Sequence, residues 1–174
     1  MLLDFEGLSP NIHPSAFIAP GAMIIGDVSI GEDSGIWFNC VLRGDIDRIE
    51  VGARSNIQDG TVIHLDSGIP TIVGDDVTIG HAAIIHACTI SDGALIGMGA
   101  IVLSGAKIGE EAIVAAGTLV REGQEIPPRS VAMGVPAKVR RETTEEDLER
   151  MRENAAGYAR RGTVMRKTIG NTQR

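Results

Sequence analysis

An all-β fold, a parallel β-helix of about six triangular coils followed by a C-terminal α-helix, is what the sequence predicts, and three observations predict it. Branched aliphatic residues recur every six positions from Ile12 to Val120. Hydrophobic residues make up 43% of the 174-residue chain while aromatics make up only 3%, and there are 22 glycines. The core must therefore be built from small aliphatic side chains in regular layers. Beyond Val120 the six-residue step gives way to a proline-rich stretch and then to a helical stripe.

The marks run Ile12, Ile18, Ile24, Ile30, Ile36 and Leu42, and after three extra residues Val51, Ile57 and Ile63. Four more residues precede Val73, Ile79 and Ile85; one is then dropped before Ile90, Ile96, Val102, Ile108, Val114 and Val120. A period of six fits neither a helix at 3.6 nor a long strand at 2. It fits a chain that turns a corner every six residues, with one branched side chain inside each flat side and small residues at the bends. Three sides make a coil, so eighteen marks make six coils. Stacked at a strand spacing of about 4.8 Å, they form a prism roughly 30 Å tall.

The β-helix is expected over residues 1–122, a connector over 123–142, a helix over 143–162 and a flexible tail over 163–174. Thr143 with Glu146 three residues on gives a capping-box signature, and Leu148, Met151, Ala155 and Tyr158 form one stripe. That stripe must bury against the prism or a neighbouring subunit. Gly162 is expected to end the helix.

The formal charge of −7 is unevenly spread. Residues 138–174 carry ten Lys/Arg against six Asp/Glu, which leaves an acidic body and excludes a nucleic-acid partner. Two cysteines, Cys40 and Cys88, are too few for a disulfide framework and suit a reducing compartment. The start MLLDFEGL has no basic n-region, and no apolar run approaches the eighteen or so residues of a membrane span, so a cytoplasmic protein is expected.

With the coils in register, the third side carries Ile24, Leu42, Ile63, Ile85, Val102 and Val120. The residues just after these marks form one outward column, which puts His64 and His86 on adjacent rungs; the 22-residue gap between them contains the four-residue insertion. Two imidazoles one rung apart can share a metal at about 2.0–2.1 Å. His81 lies around a corner, one rung after Asp59 and its neighbour Gln58. A three-fold assembly that turns the second side of one prism toward the third side of the next supplies the missing ligand. The expectation is a homotrimer with three equivalent metal sites between subunits, each using His64 and His86 of one chain and His81 of another. Three His with an open fourth position match catalytic zinc. The fourth histidine, His13, reads as a solvated residue before a proline.

The six-residue run resembles the hexapeptide-repeat proteins, which implies a left-handed β-helix, against the right-handed preference of parallel crossovers in general. Arg43-Gly44-Asp45, Asn56-Ile57-Gln58-Asp59, His64, and His81 with His86 are similar to the motif set of the γ-class carbonic anhydrases, and the resemblance spans nearly the whole chain. It implies a homotrimer that binds Zn²⁺, or Fe²⁺ or Co²⁺, at its interfaces and acts on CO₂ and bicarbonate. It also implies that Arg43 pairs with Asp45 or Asp59 across the interface, and that Gln58 and Asn56 orient the metal-bound water and bicarbonate. Zinc lowers the pKa of a bound water from about 15.7 to near 7, giving a hydroxide that attacks CO₂. Asp59 shares the orienting role with Gln58, and Tyr158 on the helix is a candidate to reach the site.

The chain departs from the family's pattern in its carboxylates. Ile46 stands where the founding type is expected to carry a proton-shuttling Glu, and the loop Leu65–Thr71 contains no Glu; Asp66 is its one carboxylate, a shuttle or a turn former. Two other readings therefore stay open: an enzyme acting on acyl-coenzyme A, as a metal-dependent thioesterase or a hexapeptide acyltransferase, and a metal-binding scaffold without turnover. The run Gly134-Val135-Pro136-Ala137-Lys138 supports the acyltransferase.

Overall fold

The apolar marks all turn inward. Sixteen of the eighteen are at most 4% exposed, and Ile12 and Ile18, at the open N-terminal end, are half-buried. They lie inside a left-handed parallel β-helix of about seven triangular coils, seen in a computed structural model that describes residues 1–172. Register is strict. On the third side Ile24, Leu42, Ile63, Ile85, Val102 and Val120 stand in one column. The three extra residues after Leu42 are absorbed by a long bent strand, Val41–Val51, and the four after Ile63 by a tight turn closed between Asp66 and Ile69. Cys40 and Cys88 are free and buried, and burial pushes their thiols up to about 11 and about 12.

Three sequence expectations are corrected. The coils continue past Val120, because Ile126 and Ala132 keep the six-residue step: Glu125–Ile126 pairs with Lys107–Ile108, and Val131–Ala132 with Ile113–Val114. The connector over 123–142 therefore begins as a further coil, hidden by an unbranched Ala at a mark and by the prolines at its corner. Pro128 packs so closely under Gly109 that a Cβ there would lie 2.4 Å from the proline nitrogen. Lys138–Glu142 then turns back antiparallel on Ser130–Met133 and ends the winding.

The helix cap sits one residue later than expected. Thr144 Oγ1 accepts the Asp147 N–H at 3.1 Å, and Asp147 Oδ2 accepts the Thr144 N–H at 3.0 Å, so the capping box is Thr144 with Asp147 rather than Thr143 with Glu146. Arg141 adds an ion pair to Asp147. Finally, Gly162 does not end the helix. Helix α1 runs Glu145–Thr172, so residues 163–172 are helical and only the last two residues of the expected tail lie outside the described ones. Gly162 faces Phe17, where a Cβ would come within 3.2 Å of the phenylalanine Cβ, and Met165 and Ile169 beyond it pack against the Phe17, Ala19 and Trp37 cluster. Burial of that apolar face outweighs the helix penalty of about 1 kcal/mol for an interior glycine.

The three sides have different outer surfaces. Residues just before the marks on the first side are Asn11, Ser29, Glu50, Ile72, Thr89, Lys107 and Glu125, a mostly polar column. On the second side Phe17, Leu95, Ile113 and Val131 lie under α1, whose Leu148 and Met151 close over Ile113 and Val131. The third side carries Met23, Val41, Val62, Ile84, Ile101 and Leu119, every one apolar, and no described element lies over it: Val62 is 41% and Ile84 43% exposed.

Thr144→Ala is expected to lower stability by about 1 kcal/mol in chemical unfolding at fixed protein concentration. The hydrogen bonds of Arg141 and Thr144 hold the Asp147 carboxyl far below the usual range. Its contribution is therefore present above the unfolded-state value of about 3.9 and lost as pH falls below it. Asp147→Asn should flatten that acid-side loss relative to wild type.

Candidate metal centre

His64 and His86 are cross-strand partners on the third side, as their column requires. His64 Nδ1 lies 3.2 Å from His86 Nε2. The protons on these rings follow from their other neighbours. His64 Nε2 is 2.9 Å from Asp45 Oδ1, and a carboxylate only accepts, so Nε2 carries a proton and, in the neutral ring, Nδ1 is bare. His86 Nδ1 is 3.0 Å from Ser104 Oγ, whose own proton is donated to Asp66 Oδ2 at 2.6 Å. Ser104 must therefore accept from His86 Nδ1–H, leaving His86 Nε2 bare as well. With both rings neutral, two lone pairs face each other across 3.2 Å.

Asp45 is tied twice, to His64 and to the Arg43 guanidinium beside it. Partial burial opposes ionisation of this carboxyl, but the hydrogen bonds from His64 and Arg43 outweigh it and hold its pKa below the ordinary value. Arg43 thus finds its acidic partner within its own chain.

His81 stands at the corner after Ile79, with Nδ1 2.9 Å from Asp59 Oδ2 on the preceding rung. The Asp59 carboxylate accepts from Nδ1–H, which in the neutral ring leaves Nε2 bare, and the ring is 43% exposed. His81 also borders a groove of about 380 Å³ between the second side and α1, which Gln58, Met98, Asn154 and Tyr158 help to line. Gln58 and Asn56 are buried and linked: Gln58 Nε2 donates to Asn56 Oδ1 at 3.1 Å, and Asn56 Nδ2 to Thr78 Oγ1 at 2.9 Å. Tyr158 stacks edge-on against Trp37 with centroids 5.3 Å apart, and burial raises its hydroxyl pKa.

The candidate residues thus fall into two groups. Arg43, Asp45, His64 and His86 gather on the third side, whereas Asn56, Gln58, Asp59, His81 and Tyr158 gather around the groove and its corner. Among the described residues of one chain no three His, Cys, Asp or Glu side chains converge to hold a metal. The second side as a whole is not free to meet a neighbour, since α1 lies on it; His81, at its corner, remains 43% exposed. Two residues escaped the sequence reading. Ser104 sits two places after a mark in a turn, a position that looks like an ordinary bend; Asn154 lies four residues before Tyr158 on the helix, and that spacing was its one signal.

Comparison with known proteins identifies the family of the fold. The bacterial transferase hexapeptide (six repeats) family matches residues 9–44 and 87–122. A Methanocaldococcus jannaschii protein named "Probable carbonic anhydrase" is 53% identical over 88% of this chain and 94% of its own length. The γ carbonic anhydrase 2 of Arabidopsis thaliana mitochondria is 46% identical over 90% of this chain, which spans 59% of that longer protein. A Bacillus cereus crystal structure, provisionally described as an acetyltransferase, superposes with a TM-score of 0.96 at 46% identity, covering 97% of this chain and 98% of the other. At this level of identity over nearly the full solenoid and helix, the chain belongs to the γ-class carbonic anhydrase-like branch of the hexapeptide-repeat proteins.

Proposed function

We propose that this chain is one subunit of a homotrimeric carbonic anhydrase that interconverts CO₂ and bicarbonate, with a divalent metal between each pair of neighbouring subunits. The facing bare nitrogens of His64 and His86 carry the reading. Two acceptors 3.2 Å apart repel each other unless a cation lies between them, and two nitrogens bound to tetrahedral zinc at about 2.0–2.1 Å are roughly 3.3 Å apart. A hydrogen-bonded outer nitrogen on each ring is the usual support of a metal-ligating histidine. His81, with Asp59 behind it, has the same arrangement, and among the described residues of its own chain no group of three metal-ligating side chains includes it.

The uncovered apolar third side supports assembly: rotation about a three-fold axis brings the His81 corner of one subunit to the His64–His86 pair of another. In that assembly Arg43, 43% exposed, is positioned to exchange its own Asp45 for Asp45 or Asp59 of the partner subunit. Zinc is the expected metal, and Fe²⁺ or Co²⁺ suits the same nitrogens. The free thiols are in keeping with a cytoplasmic setting, and no described helix is long and apolar enough to cross a membrane.

Zinc in an open site supplies hydroxide at neutral pH by lowering the pKa of water to about 7. The chain's own residues do the rest. Asp45 and Asp59 fix the proton positions of His64 and His81. Asn56 anchors the Gln58 amide, whose carbonyl oxygen then remains to orient water or bicarbonate. Tyr158, in the same groove, has a hydroxyl that is protonated at neutral pH and so serves as a donor. Proton export is the weak step: Ile46 is 54% exposed where a shuttling carboxylate is expected, and Asp66 is bonded to Ser104.

A second reading, a metal-dependent thioesterase for acyl-coenzyme A, draws on the groove, which is larger than CO₂ requires. Stopped-flow CO₂ hydration and acyl-CoA hydrolysis by metal-replete trimer decide between them; thioester cleavage without hydration would replace the first reading by the second. For the centre itself, His81→Ala should reduce metal content from about one per chain to near zero while circular dichroism of the coils is unchanged, and full retention of metal would remove His81 from the site. For the proton step, kcat should rise with buffer concentration. Ile46→Glu should raise it about tenfold in dilute buffer, within the range general acid–base groups supply.

A further inference from the structure

The four residues inserted after Ile63 are not needed to wind a coil, since other coils close without them. Their turn is nonetheless well built. Ile69 N–H donates to Asp66 O at 3.0 Å, Gly68 takes the positive φ of +76° that the bend demands, and Thr71 Oγ1 donates to His64 O at 2.7 Å. This turn belongs to the coil of His64, yet its Asp66 carboxylate passes the coil of His86 and accepts from Ser104 on the coil after that, 38 residues away in sequence. Ser104 Oγ, its proton committed to Asp66, then faces His86 Nδ1 at 3.0 Å with only lone pairs to offer. The direct contact of His86 Nδ1 to Asp66 is longer, 3.8 Å, so the hydroxyl is the link.

We infer that Ser104, braced by Asp66 of the inserted turn, is a positioning residue that keeps the His86 proton on Nδ1 and so presents Nε2 to the metal. The inference deepens the metal reading above and rests on it for its consequence, though not for the tautomer itself. It gives Asp66 a task other than carrying protons to solvent. It also makes the three histidines alike, each with its outer nitrogen governed by a carboxylate: Asp45 for His64, Asp59 for His81, and Asp66 through a hydroxyl for His86. Without Ser104 the neutral ring is free to move its proton to Nε2, the nitrogen that must be bare.

The test uses full-length protein labelled with ¹⁵N at histidine, metal-stripped and zinc-loaded, as wild type, Ser104→Ala, Ser104→Thr and Asp66→Ala. Long-range ¹H–¹⁵N spectra of metal-stripped protein, at a pH where the ring is neutral, should show the wild-type His86 proton on Nδ1. In Ser104→Ala it should be found on Nε2, with a 10- to 100-fold loss of zinc affinity by chelator competition. Ser104→Thr should restore both, and Asp66→Ala should lose affinity with a mixed tautomer. A Ser104→Ala protein that keeps the proton on Nδ1 overturns the inference, whether its affinity falls or holds. If wild type takes up no zinc, the metal reading fails while the spectra still decide the tautomer.

Discussion

In-register stacking of each coil on the next is the constraint on which the rest of the molecule depends. A parallel coil pairs its backbone with the coils before and after it, so a residue's height and direction are fixed once its place within the six-residue side is fixed. Ile63 and Ile85 occupy the same place one coil apart, and that alone aligns His64 with His86. The 3.2 Å between their nitrogens is thus a property of the ladder as much as of the two rings. Asp59 and His81 are paired by the same rule at the next corner. A scaffold of this kind supports ligands on strands whose positions are over-determined by many backbone hydrogen bonds, which is the rigidity a metal centre requires.

The same rule sorts the outer surfaces. Because alternate residues point out, each side shows a column that can be polar, covered or exposed and apolar, and here each side takes a different one. The helix lies on the second side, where Phe17, Leu95, Ile113 and Val131 offer an apolar strip, and in lying there it forms the groove beside His81. The third side keeps its row from Met23 to Leu119 uncovered next to the two histidines. Apolar exposure and the histidine pair thus occur on one surface, and the proposed trimer would set a second copy of the chain against both.

The interior and the histidine column were legible in the sequence because both follow from a single period in which every mark is Ile, Val or Leu. What was not legible had weaker or competing signals. Ala132 continued the period without branching, and the prolines at 127 and 128 looked like an end to the coils when they form a corner. Gly162 read as a helix stop because local propensity argues for one; the aromatic cluster around Phe17, assembled from residues far away in sequence, overrode it. Thr143 and Thr144 are adjacent candidates for one cap, and the Arg141 pairing with Asp147 favours the second. Ser104 was invisible because its importance comes from a turn 38 residues earlier, and no periodicity reports on where an insertion's side chains end up.

The length of α1 has a consequence for how the molecule comes apart. Stacked coils by themselves behave as a linear array, each held only by its neighbours and free to fray from either end. Helix α1 starts against Ile113 and Val131 near the last coil and ends against Phe17 near the first, where Arg166 bonds the Pro14 carbonyl across 152 residues of sequence. A strut fastened at both ends ties the fate of the outermost coils to each other. Loosening one end strips contacts from the other, so a chain built of repeats is expected to unfold as a single cooperative unit rather than by unwinding coil after coil.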